Sequence, residues 1–300
     1  PGVIEMTISN IRQLTASDKI EVESFLKAGI EQTLFLLYNI LRGGLNYSGK
    51  PGQSIFFGSF QETKITSVMS LSWNGHMQIF TPHAMEDICD KFIPFLKKHK
   101  KEVLGISGPP DHVQQALQYL NLDLHPKLLY SIEKLYTLHL ENLQPIMPQA
   151  GRVCVLRKAT PEDYNMLVEW QIAYALETLG SKDNRQLRES TQRRIQALVQ
   201  SDADYMRIFE VDGVAVSRTN ITAALPEAIM LGGIWTPPEH RNKGYARSAV
   251  AAHLLEQKKS GVDKAVLFTN SPAATKAYKA LGFKEAGNFS LVLFETPWTP

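Results

Sequence analysis

The chain has 300 residues, 44% hydrophobic and 21% charged, and its 32 Lys and Arg against 30 Asp and Glu leave a formal net charge of +2. This is the composition of an ordinary globular protein, with enough length for two domains. The near balance of charge excludes a strongly basic nucleic-acid binder, and the longest apolar run, Leu34–Tyr38, falls far short of the ~20 residues of a membrane span.

Taken in chain order, helical patterns cover Ala16–Gly29 and Glu31–Gly43, and strand patterns cover Gln53–Phe60, Lys64–Asn74 and His76–Phe80. A helix follows at His83–Lys100, with Pro94 expected to kink or break it. A strand at Lys101–Ser107, a helix at Pro109–Leu122 and a strand at Leu128–Leu140 complete the first half. The stretch Glu141–Gly151 holds two prolines, a glycine and few periodic apolar residues, so a linker is expected there, between domains at 1–145 and 151–300.

The second half opens with a strand, Arg152–Ala159. Thr160 then suits an N-cap, with Pro161 in the first helical position and two acids in the first turn of a helix reaching Gly180. A second helix covers Asn184–Asp202, and two strands flank the hairpin turn Asp212-Gly213. Next come a strand at Glu227–Thr236, a helix to Lys259, a strand at Asp263–Asn270, a helix at Ser271–Gly282 and a strand at Asn288–Glu295. The two halves share nearly one element order, which predicts a duplicated fold.

The most informative stretch is Thr236–Ala246. Two prolines end a strand, and Ala246, Ala249, Val250, His253 and Leu254 form one apolar stripe, so a helix begins near Lys243 or Gly244. A helix start offers unpaired N–H groups and partial positive charge. With Arg241 and Lys243 beside it, and Gly244 and Ala246 leaving room, the loop reads as a phosphate or diphosphate site.

Arg241-Asn242-Lys243-Gly244-Tyr245-Ala246 resembles the Q/R-x-x-G-x-G/A signature of the GNAT superfamily, the GCN5-related N-acetyltransferases. The helix ending Tyr278-Lys279-Ala280-Leu281-Gly282-Phe283 is similar to that family's second hallmark. The resemblance covers about Arg152–Glu295, and the first half shares it only in outline. It implies an α/β (α+β) protein of two GNAT-like domains, each a mixed, mostly antiparallel sheet flanked by helices, in a tandem arrangement with a degenerate N-terminal repeat.

The same resemblance implies that acetyl-CoA is the co-substrate, its diphosphate held by the amides of Asn242, Lys243, Gly244, Tyr245, Ala246 and Arg247 beside Arg241, and its pantetheine arm along Ile234, Trp235 and Thr236. Tyr278 matches the general acid that protonates the departing thiolate, and its place on an apolar stripe also suits a core residue. The family often has Asn seven residues before that Tyr; here Ser271 stands there, with Asn270 one place earlier, so either side chain is expected at the arm. No acid lies within the strand before the loop. Glu177, Glu227, Glu239 and His240 are candidates for a base, and none is assigned.

The expected activity is acetyl transfer to a primary amine, on a small molecule or a peptide, by direct attack in a ternary complex. Alternatives on the same fold are an acyl-CoA-binding regulator or sensor, and an aminoacyl or longer-chain acyltransferase. No nucleic acid, membrane or metal partner is expected: the eight histidines have no metal spacing. Gly44–Lys50 fits G-x-x-x-x-G-K, but Pro51 stands where a P-loop needs Ser or Thr, and a helical pattern precedes it. Cys89 and Cys154 form no C-x-x-C pair and are read as reduced core thiols of a cytoplasmic protein. At the matching place in the first half, Glu86 and Asp87 replace the basic loop, so coenzyme A binding is not expected there.

Overall fold

A computed structural model of the chain describes residues 10–83, 85–144, 146, 151–200 and 205–300. In chain order its elements are β1 (Asn10–Gln13), α1 (Lys19–Lys27), α2 (Ile30–Gly43), β2 (Ile55–Gln61), β3 (Lys64–Leu71), β4 (His76–Phe80), α3 (Met85–Lys98), β5 (Val103–Gly108), α4 (Pro110–Tyr119), β6 (Lys127–His139), β7 (Cys154–Lys158), α5 (Tyr164–Thr178), α6 (Arg185–Gln200), β8 (Met206–Val211), β9 (Val214–Ala224), β10 (Ala228–Trp235), α7 (Tyr245–Lys259), β11 (Lys264–Thr269), α8 (Pro272–Lys279) and β12 (Lys284–Trp298). They form two compact units. The first takes the described residues up to Glu133 and those from Asn288 onward; the second takes Lys134–Gly287. The stretch 141–151 lies within the range of the second unit.

Each unit has a six-stranded, mixed and mostly antiparallel sheet. The order is β1-β2-β3-β4-β5-β12 in the first and β7-β8-β9-β10-β11-β6 in the second. In each, the fourth and fifth strands pair in parallel and the other neighbours pair antiparallel. The sixth strand comes from the far end of a long strand. Residues 134–139 of β6 pair with β11, and residues from Ser290 in β12 pair with β5. Each sheet is thus completed by the strand that the linear element order assigns to the other half.

The second unit's helices cover both sheet faces. Leu167 and Ile172 of α5 and Ile195 and Val199 of α6 pack on Met206 and Ile208, while Val250 and Leu254 of α7 and Leu281 beyond α8 pack on Ile229, Leu231 and Leu267. Alternation along the strands sets this division. In the first unit Ile88 and Phe92 of α3 and Val113 of α4 pack on Met69, Met77 and Val292.

Both units begin with one device. Arg12, Thr15 and Asp18 have the spacing of Arg157, Thr160 and Asp163. Asp18 accepts from the Thr15 backbone N–H at 2.8 Å and from the two Arg12 terminal nitrogens at 2.7 and 2.6 Å. Asp163 accepts from the Thr160 N–H at 2.8 Å and from Arg157 at 2.7 and 2.8 Å. Each carboxylate satisfies a donor at a helix entrance and pairs with a strand arginine.

Expectation and structure differ at three places. Of the kink or break expected at Pro94 the break is absent, and α3 runs on to Lys98, its Ile88, Cys89, Phe92 and Leu96 holding it to the core. Cys89 is buried, with its thiol pushed up to about 12 by burial, but Cys154 is exposed, because it opens β7 at the open edge of its sheet. The strand β1 was not anticipated, since Asn-Ile-Arg-Gln has little strand character and is recruited by pairing with β2. The turn at Asp212-Gly213 forms as expected, with φ of 50° and 78°. The Gly44–Pro51 stretch follows α2 rather than a strand.

The Arg12 guanidinium holds the Asp18 carboxyl at about 2, against the ordinary 3.8. A folded-state value below the unfolded one adds stability that is complete above the unfolded value and disappears as pH falls through the folded one. Asp18→Asn is therefore expected to lower stability at pH 7 by about 1–3 kcal/mol. Melting curves should show parent and variant converging as pH falls from ~4 to ~2.

Candidate functional site

The site grows from a defect in β10. Its parallel pairing with β11 covers Ala228↔Lys264, Ile229↔Ala265 and Met230↔Val266 and stops there. Toward β9 the register shifts between Gly232, opposite Asn220, and Trp235, opposite Arg218, so β10 carries one residue more than its partner. Gly233 takes φ +59°, a left-handed backbone that suits glycine, at this bulge. A first shift toward β9, with the extra residue on β9, falls between Met230 and Leu231, and from there Leu231–Trp235 is left with roughly 16 Å of edge unpaired on the β11 side. On the other side Ser217 fixes the strand's end, its hydroxyl donating to the Trp235 carbonyl at 3.0 Å and lying 2.9 Å from the Thr236 hydroxyl.

Beyond Thr236 a short 3-10 turn, Pro238–His240, leads into the loop. Asn242 and Gly244 both have left-handed backbone, φ 61° and 77°, and α7 starts at Tyr245. The Ser248 N–H bonds the Gly244 carbonyl at 3.0 Å, so the amides of the preceding residues lie before the first helical repeat. The Tyr245 side chain is buried with Phe209, Val211, Val216 and Ala249 and anchors the helix, which leaves its main chain to the loop. A side chain added at Gly244 would meet nothing closer than the Arg247 guanidinium, at 3.9 Å.

The loop's cations are not equivalent. Arg241 turns back on the protein: it donates to the Thr236 carbonyl at 3.0 Å, pairs with Glu177 at 2.9 Å and stacks over Trp235 with 4.9 Å from its central carbon to the ring centroid. Lys243 donates to the Glu239 carbonyl at 3.0 Å. Arg247, exposed beside Gly244, is the cation at the helix start itself.

Tyr278 of α8 is buried in the α7–α8 core beside Phe283, with ring centroids 5.9 Å apart. Burial, and next the Tyr174 hydroxyl, push its ionisation well above the ordinary tyrosine range, so it remains a protonated donor at neutral pH. Ser271 caps α8, accepting from the Ala274 N–H at 3.3 Å. Asn270 lines a cleft of about 550 Å³ with Lys134, Tyr136, Thr275, Lys276 and Lys279. That cleft lies toward β6, across β11 from the free edge of β10. The structure thus brings Ile234, Trp235, Thr236 and residues 241–247 together along one strand end and loop, while Asn270 and Ser271 stand at the end of β11.

Of the candidates for a base, Glu177 is engaged by Arg241. Glu227 precedes the opposite end of β10, so about 26 Å of extended chain separates it from Trp235. Glu239 and His240 lie in the 3-10 turn, with His240 against the Tyr245 ring. Among the described residues, no group of three or more His, Cys, Asp or Glu could hold a metal ion. No helix among them is long and apolar enough to cross a membrane.

A polar group on the α5 face is absent from the residues expected from sequence. Arg218 of β9 is fully buried and donates to the Gln171 amide oxygen at 2.7 Å. Tyr174 lies near both Arg218 and Trp235, 5.8 Å from the guanidinium carbon and 6.2 Å between ring centroids. The available signal was Ser217-Arg218-Thr219-Asn220, four consecutive polar residues inside a strand between apolar neighbours.

No family model matches the chain, and no curated protein matches its sequence. Solved structures do match it over nearly all their length. A Drosophila protein aligns at TM-score 0.62 and 13% identity, over 94% of this chain and 98% of its own. A GCN5-related N-acetyltransferase from Sphaerobacter thermophilus aligns at 0.57 and 13%, over 97% and 96%. A tandem GNAT protein from the clavulanic acid biosynthesis pathway aligns at 0.52 and 12%, over 95% and 97%. The chain has the GNAT fold. At these identities the likeness concerns the fold alone. In that fold, the free edge of β10 and the loop before α7 adjoin one another in sequence and in space.

The burial of Tyr278 yields a spectroscopic expectation. Phenolate absorbance titrations of the parent and of Tyr278→Phe should coincide through the ordinary tyrosine range and separate only above about pH 11. A difference near pH 10 would place this hydroxyl in water.

Proposed function

We propose that the second unit binds acetyl-CoA and transfers its acetyl group to a primary amine. The observation that carries this is the departure of β10 from β11 after Met230, which leaves an unpaired strand edge running directly into a left-handed loop and a helix start. An unpaired edge can bond the amides of a pantetheine arm as another strand would. Amides at a helix start suit a diphosphate, and Arg247 adds charge there. Arg241 acts indirectly: by bonding Thr236 and covering Trp235 it fixes the loop relative to the strand.

In this reading the amine attacks the thioester carbon, a C–N bond forms and the C–S bond breaks. The sulfur leaves with the electron pair and takes a proton from the Tyr278 hydroxyl. One ammonium proton goes to solvent before attack. The second, lost from the tetrahedral adduct, balances the proton given up by Tyr278. Holding both reactants in one cleft supplies most of the acceleration. Backbone N–H groups freed at the bulge are suited to the developing oxyanion.

The first unit is built differently at the matching place. A side chain on Gly108 would approach the Ile79 carbonyl oxygen to 2.3 Å, so β4 and β5 remain in close contact there. The cavity beside them is about 10 Å³, no more than one water. Glu86 and Asp87 occupy the first turn of α3. We therefore assign one acetyl-CoA per chain.

Calorimetry should give a stoichiometry of one, and acetyl-CoA should raise the melting temperature of the parent but not of the double variant Gly244→Val, Arg247→Glu. A thiol-release screen across amines should find an acceptor. Tyr278→Phe should reduce its turnover about 100-fold with acetyl-CoA affinity nearly unchanged. Binding without thiol release from any amine would leave a coenzyme A-binding protein that does not transfer; absence of binding would remove the proposal altogether.

A further inference from the structure

Among the described residues, the largest fully buried side chain is a cation without an anion. Arg218 is 0% exposed, and among the described residues its one hydrogen bond goes to a neutral acceptor, the Gln171 amide. Its Nε and Nη1 have no partner. Burial, and next the like charge of Arg194 on α6, drive its ionisation down to about 9. A guanidinium held in this way is costly to fold. Buried polar groups in native proteins are otherwise nearly always satisfied, and a persistent exception points to a ligand that supplies what the fold withholds.

The position of Arg218 specifies which ligand. It faces Trp235 across β9 and β10, at the bulge where the free edge ends. The Trp235 Nε1 and the Asn220 Oδ1 are also buried without partners. Glu177 of α5 is already taken by Arg241, so Arg218 and Arg194 draw a further carboxylate, and unused donors and an acceptor beside them match a polar ligand.

We infer that Arg218 binds the carboxylate of the acceptor, so that the acetylated amine belongs to an amino acid rather than to a simple alkylamine. The inference deepens the acetyl-transfer reading and rests on it for the identity of the ligand. Tyr174, half-buried near both Arg218 and Trp235, is the side chain that swings to admit it. Arg218 is a specificity-determining residue in this scheme and takes no part in proton transfer.

The test uses the protein loaded with coenzyme A, titrated by calorimetry with N-acetylalanine and with N-acetylalaninamide, which differ only in the carboxylate. The acid should bind at least about 30-fold more tightly. Arg218→Met should reduce the acid to the level of the amide and should melt at or above the parent's temperature, because it removes an uncompensated buried charge. Equal binding of acid and amide by the parent, or a large drop in the melting temperature of Arg218→Met, would overturn the inference. The two readings fail separately. Acid-selective binding without thiol release from alanine and acetyl-CoA upholds the carboxylate site and removes acetyl transfer. Thiol release from alaninamide as fast as from alanine keeps transfer and removes the role of Arg218.

Discussion

Two register shifts between β9 and β10, one residue extra on each strand in turn, shape the second unit. Antiparallel partners must keep step, and where β10 holds an extra residue against β9 the strand can only bend. The parallel pairing with β11 ends after three residues, at Met230, where the first of the two shifts falls. Gly233 permits the backbone this requires, Ser217 catches the carbonyl at the strand's end, and Arg241 ties the following loop back to Thr236. The unpaired edge, the loop and the start of α7 therefore follow one another directly beyond these two shifts.

Apart from Pro94, which the helix α3 runs through, features that depended on neighbours in sequence were legible beforehand. The helix start after Gly244, the Ser271 cap and the Asp212-Gly213 turn follow from local backbone rules, and each stands where those rules place it. Whatever depended on partners distant in sequence was not. That Arg218 lacks a counter-charge follows from what α5 and α6 present across the sheet, which no local pattern encodes. The exposure of Cys154 follows from the edge position of β7, and strand β1 exists only because β2 accepts it. The destinations of the ends of β6 and β12 were equally hidden, since a strand's pattern states which face is apolar but not which neighbour it joins.

The two units are variations on one plan. Strand order, the single parallel pair and the arginine-threonine-aspartate entrance recur in both. What separates them is small. Gly108 allows β5 to press against Ile79, where in the second unit the corresponding strands have already parted. The parallel strands of the first unit stay paired as far as Gln78 and Ser107, while those of the second part after Met230. A shared scaffold thus yields a solid body in one case and a slotted one in the other, which agrees with the view that chemistry resides in sites rather than in folds.

The contribution of β12 to the first sheet has a bearing on biosynthesis. Domains ordinarily mature in the order in which the ribosome delivers them. Here the first unit emerges without its sixth strand, and β5 waits with an open edge until Ser290 and its successors arrive. An exposed edge invites pairing with other chains. The glycine-lined strand Val103–Gly108 is therefore the segment most in need of a chaperone's cover during translation, and the second unit has to be made before the first can close.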